Sequence, residues 1–79
     1  MQMDWTSYIG KVLNITMHEN YGIVMEPKSN TPIYEIVFKS GQLVGAFSEG
    51  LLLETTRENE TVRIFIPHNA IKCVEIFGL

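Results

Sequence analysis

Residues 33–77, IYEIVFKSGQLVGAFSEGLLLETTRENETVRIFIPHNAIKCVEIF, decide the reading of this chain. They read as five closely spaced strands joined by very short turns. Residues 33–39 alternate, with Tyr34, Ile36 and Phe38 on one face. Ser40-Gly41 fits a tight turn, because glycine tolerates the positive φ such turns need. Residues 42–47 return, Ser48-Glu49-Gly50 turns again, and residues 51–55 continue the sheet. A polar turn over 57–60 leads into residues 62–66. Pro67-His68-Asn69 makes the last turn before residues 71–77. Gly45 falls inside a strand, where glycine weakens pairing. It therefore marks sharp curvature or the close approach of another backbone.

Working outward, Asp4 can cap a short helical turn, with Trp5, Tyr8 and Ile9 at helical spacing and Gly10 ending it. Residues 11–17 alternate as a strand, with Leu13, Ile15 and Met17 on one face and Val12, Asn14 and Thr16 on the other. His18-Glu19-Asn20 reads as a turn and residues 21–26 as a second short strand. The prolines at 27 and 32 bracket a polar loop. With the main sheet starting near Ile33, the preferred register, residues 11–26 become an added hairpin; the other register starts near Gly10 and makes residues 11–17 the first barrel strand. The expected fold is all-β: a small, strongly bent five-stranded barrel with an N-terminal helical turn and an added β-hairpin. Residues 1–79 form one domain, with the turn and hairpin in 1–32 and the barrel strands in 33–77.

Bulk composition narrows the function classes. A chain of 79 residues buries a marginal core unless something supplements it. Cys73 is the only cysteine, so no intrachain disulfide can. Two histidines and one cysteine, at no ligand spacing, do not make a metal site. Self-association remains, and the 46% hydrophobic content fits it. Val62, Ile64 and Ile66 on one strand and Val74 and Ile76 on the next form apolar strands suited to pairing between subunits.

The net charge of −3 argues against gripping duplex DNA through its phosphates but leaves room for single-stranded nucleic acid on a locally neutral patch. Glu49, Glu54, Glu58 and Glu60 read as a solvated loop face. No nucleophile motif, phosphate loop or spaced acid pair is present, so the expectation is a non-enzyme without a cofactor. The opening MQMDWTSYIG lacks the basic and apolar regions of a signal peptide, and no apolar run reaches membrane-spanning length. A cytoplasmic location with Cys73 reduced is expected. The Asn14-Ile15-Thr16 and Asn59-Glu60-Thr61 matches to the glycosylation pattern are then chance.

The order Ile36, Phe38, Gly41, Leu43, Gly45, Phe47 resembles the first motif of the Sm/LSm/Hfq family of small RNA-binding rings. Ile64-Phe65-Ile66-Pro67-His68-Asn69-Ala70-Ile71, with Val74 beyond, is similar to the family's second motif. The resemblance covers roughly the last 45 residues, a size that suits one small barrel. It implies a homo-oligomeric ring of about five to seven subunits that binds single-stranded RNA, or DNA, at its pore. It also implies that Ser48, Glu49 and Gly50 and the turn Pro67, His68 and Asn69 lie together at one end. Ser48-Glu49-Gly50 lacks the family's Asp and Asn, and Pro67-His68 stands where the family carries Arg-Gly. A base-stacking role for His68 competes with a plain surface histidine, and a base contact from Asn69 with simple turn stabilisation. Trp5, Tyr8 and Tyr21 can stack on nucleotides, but packing is their commoner use. The other reading is a structural or protein–protein interaction β-barrel with no nucleic-acid role.

Overall fold

The computed structural model describes residues 3–18, 23–25, 32–34 and 38–79. A 3-10 turn over Trp5–Tyr8 leads into β1 (Val12–Met17). A two-stranded hairpin follows, β2 (Ile23–Met25) and β3 (Pro32–Tyr34). Then come β4 (Phe38–Ala46), β5 (Gly50–Arg57) and β6 (Glu60–Pro67), a 3-10 turn over His68–Ala70, and β7 (Ile71–Ile76). The five long strands form one antiparallel sheet in the order β6-β5-β4-β1-β7.

The fold is therefore all-β with an N-terminal helical turn and an added hairpin, but the strands are distributed differently from the sequence reading. The added hairpin is not residues 11–26. β1 is a central strand, paired to β4 on one side and β7 on the other, and the hairpin is β2 with β3, inserted between β1 and β4. The physical reason is burial. Leu13, Ile15 and Met17 alternate into the core, and only a strand flanked on both sides by others covers all three. The tight turn expected at Ser40-Gly41 is also absent, and β4 runs straight through it. Gly41 serves close approach instead, because a Cβ there would lie 2.8 Å from the carbonyl oxygen of Glu54 on β5. Ile36, Tyr21 and the segments expected to turn at Glu19-Asn20 and to loop from Pro27 to Thr31 lie outside the described residues.

The core is a single apolar layer on the concave face. Leu13, Ile15, Leu43, Leu51, Leu53 and Ile66 are fully buried. Each such side chain contributes about 1.5–3 kcal/mol relative to exposure. Trp5, Tyr8, Ala46, Ile64, Ile71, Val74 and Ile76 pack around them. Two bulges bend the sheet. One shifts the register of β4 between Leu43 and Gly45, and the other shifts β1 against β7 between Thr16 and Met17.

How far the sheet bends follows from one connection. Pro67, at the end of β6, lies opposite Gly50, while Ile71, at the start of β7, lies opposite Met17. In a flat sheet these points would be opposite corners, four strand spacings apart. Three residues join them, and the four Cα–Cα steps from Pro67 to Ile71 reach at most about 14 Å. The sheet must therefore coil until its two edge strands come close. The His18 N–H donates to the Ala70 carbonyl at 2.9 Å, tying that connection to the end of β1. The barrel nevertheless stays open, because β6 and β7 form no ladder with each other and remain the two edges.

Candidate functional site

Two turns converge at one end of the coiled sheet. The Phe47 N–H donates to the Gly50 carbonyl at 2.9 Å and closes the turn after β4. The His68 N–H donates to the Glu49 carbonyl at 3.0 Å, which fastens the turn after β6 to it. The His68 side chain adds a second tie, with Nε2 3.0 Å from the Phe47 carbonyl. A carbonyl only accepts, so Nε2 is the donor in this contact. Gly50 makes this convergence possible, because a Cβ there would lie 2.2 Å from the Ile66 carbonyl oxygen and 2.9 Å from the Phe65 ring.

The N-terminal 3-10 turn completes the site. The Gly10 N–H donates to the Leu43 carbonyl at 2.8 Å, and the Gln42 side chain donates to the Gly10 carbonyl at 3.1 Å. Gly10 takes φ +96°, the left-handed region, and redirects the chain from the turn into β1. Asp4 opens the 3-10 turn. Its carboxylate accepts from the hydroxyl of Thr6 and, at 2.9 Å, from that of Ser7. These two hydroxyls, Thr6 foremost, hold its pKa below the usual 3.8. Trp5 meets Tyr8 edge-to-face with ring centroids 6.1 Å apart.

Between these parts lies a cleft of about 710 Å³, lined by Met3, Asp4, Trp5, Thr6, Ala46, Phe47, Ser48 and His68. That volume lies within the usual range of small-molecule pockets. Phe47 stays 52% exposed, with its ring laid over Gly45, where a Cβ would meet it at 2.8 Å. The cleft therefore offers two aromatic side chains and one imidazole among hydroxyls and a carboxylate.

Of the residues expected at a ligand site, Ser48 and His68 line this cleft. Glu49 and Gly50 hold the second turn in place through their backbones, and Pro67 and Asn69 are exposed beside it. In the sequence Trp5 reads as able to stack, with packing favoured for it, and Phe47 as a motif residue with no ligand role. Only the convergence of residues 3–6, 46–48 and 68 brings the two together.

The strands expected to pair between subunits divide by face. Ile66 points into the core, whereas Val62, Ile64, Val74 and Ile76 are half-buried on the two edge strands. Those edges are not wholly apolar. Arg63 and Glu75 stand on their outer face, but both are drawn back over the sheet. Arg63 Nε lies 3.1 Å from Glu54, and Glu75 accepts from Asn14 at 2.8 Å. Among the described residues no cluster of His, Cys, Asp or Glu suits a metal ion, and no helix is long and apolar enough to cross a membrane. No protein-family model, curated protein or solved structure matches this chain.

Proposed function

We propose that this chain is an Sm-like subunit that closes into a homo-oligomeric ring and binds single-stranded RNA, or single-stranded DNA, in the aromatic cleft. It acts as a chaperone or scaffold, without catalysis. The observation that carries the reading is the pair of open edges joined by the turn that bears His68.

Backbone alternation supports the assembly. The two-residue turn Glu58-Asn59 makes Arg57 and Glu60 a bonded pair, so Val62, Ile64 and Ile66 direct their backbone groups toward β5. Thr61, Arg63 and Phe65 then direct theirs outward. On β7, the Phe77 N–H donates to the Val12 carbonyl at 2.9 Å. By the same alternation Val74 and Ile76 direct their backbone groups outward. Two half-buried strands with outward backbone groups are a template for pairing, and β6 of one subunit with β7 of the next satisfies both. A ring of about five to seven copies leaves no edge uncovered.

The cleft supports the ligand class. Trp5 and Phe47 give planar surfaces for bases, and stacking is worth about 1–3 kcal/mol per base. Among the described residues no Lys or Arg lines the cleft. Affinity should therefore come from the bases and depend weakly on salt.

The test combines light scattering with binding of labelled oligo-U, oligo-A and single-stranded DNA across a salt series. The expected result is a multimer of defined size and a shallow salt slope. A Phe47→Ala, His68→Ala double variant should bind at least about tenfold more weakly while the oligomer persists. A stable monomer at micromolar concentration sinks the ring. An oligomer that binds no single strand at low salt sinks the nucleic-acid role and leaves a protein-interaction β module, the reading that the −3 charge favours.

A further inference from the structure

The cleft is short of hydrogen-bond donors. Asp4 is acceptor-only, and each of its two oxygens takes one bond within the turn and keeps further capacity. The Thr6 hydroxyl proton is committed to Asp4, so its oxygen offers only lone pairs. The Nε2 proton of His68 is committed to the Phe47 carbonyl and is not offered to a ligand. Hydrogen bonds from Thr6 and Ser7 lower the Asp4 pKa and so favour its carboxylate form. Among the described residues that line the cleft, Asp4 and Thr6 thus present acceptors, the Nε2 proton of His68 is spent, and the Ser48 hydroxyl and Trp5 indole N–H remain as donors.

The bases differ in how they meet such a surface. Uracil presents one N–H between two carbonyls, which would face lone pairs. Adenine and cytosine each present one amino group beside a ring-nitrogen acceptor. Guanine alone presents two adjacent donors, N1–H and the 2-amino group, with a single carbonyl beyond them. A carboxylate accepts from both donors at once.

We infer that the cleft selects guanine, with Asp4 as the specificity-determining residue that accepts from the N1–H and 2-amino edge while Trp5 and Phe47 supply stacking surfaces. This rests on the proposed single-strand binding and goes beyond it by fixing the base. Trp5 is the only tryptophan of the chain, so its fluorescence reports occupancy of the cleft directly.

The experiment titrates the intact protein with a U heptamer and with heptamers carrying a single central G, A or C. The G heptamer should bind about tenfold or more tightly than the U heptamer, with A and C between. Asp4→Asn should reduce the G advantage to less than about twofold, while U-heptamer binding holds or tightens as a negative charge leaves. The Asp4 side chain makes no cap bond to the backbone, and Asn keeps one of the two oxygens that accept from Thr6 and Ser7, so the turn should survive, and an unchanged far-ultraviolet spectrum checks this. Equal binding of all four heptamers, a preference for U, or a G preference that persists in Asp4→Asn overturns the inference and leaves single-strand binding standing. If no heptamer binds at low salt, both fail together.

Discussion

Gly50→Ala should cost more stability than a single methyl group ordinarily would. The added Cβ would lie 2.2 Å from the Ile66 oxygen and 2.9 Å from both the Ile66 carbonyl carbon and the Phe65 ring. Phe65 can turn aside, since it is half-exposed. The carbonyl cannot, because Ile66 is paired with Leu51 in the β5–β6 ladder and its side chain is locked in the core. Restoring ordinary contact means moving one strand by more than an ångström, which stretches the turn bonds to Phe47 and His68. Overpacking of this kind typically costs about 1–3 kcal/mol. Against it stands the loss of unfolded-state freedom on replacing Gly by Ala, which stabilises by about 0.4–1 kcal/mol where the backbone permits it. The clash wins, leaving a net loss of about 1–2 kcal/mol. In a domain of this size that lowers Tm by about 5–15 °C. Urea and thermal melts followed by Trp5 fluorescence measure it. Wild-type or higher stability would refute the close-approach account of Gly50, and with it the docking of the two turns.

At Gly45 the Cβ meets the end of the Phe47 side chain rather than backbone, so Gly45→Val should cost about 1–2 kcal/mol, less than a backbone clash of equal closeness, and displace the Phe47 ring. A thermal melt reads the cost, and wild-type stability with an unmoved ring would contradict it. Glu58 and Asn59 both hold positive φ, 51° and 66°, and Asn-Gly is the favoured pair for such a turn. The double change Glu58→Asn, Asn59→Gly should therefore raise stability by about 0.5–1 kcal/mol in urea melts. The Asp4 pKa is lowered in the folded chain, so its contribution is fully present above the unfolded value and is lost as pH falls through the folded one. Trp5 fluorescence should accordingly change below about pH 3.8, and Asp4→Asn should abolish that change.

The chain's periodicity carries much of this architecture, and the misreadings have physical causes. Leu13, Ile15 and Met17 alternate in β1, and the short apolar runs of β5 and β6 are bounded by turn residues, so those strands are readable directly. β4 was misread because Ser40-Gly41 has turn chemistry, and nothing local says that Gly41 answers instead to the Glu54 carbonyl of the next strand. The place of β1 in the sheet depends on its partners, and alternation alone does not distinguish a central strand from an outlying hairpin. The apposition of Ser48 and His68 was anticipated from the resemblance. The meeting of Trp5 with Phe47 was not, because they lie forty-two positions apart in sequence and Trp5 reaches the site through the left-handed Gly10.

The stretch from Glu60 to Ile76 holds one open edge, the turn with His68 and the other open edge in succession. On the proposed reading, one seventeen-residue segment carries both contact strands and part of the pocket, so occupancy and assembly are thermodynamically linked. A ligand that steadies the His68 turn also steadies the angle between β6 and β7, the angle that sets how many copies close the ring. Apparent affinity should then rise with protein concentration until the ring is saturated, and bound single strands should narrow the distribution of oligomer sizes. A synthetic peptide covering β7 alone would cap the β6 edge, acting as a chain terminator that lowers ligand binding without touching the cleft.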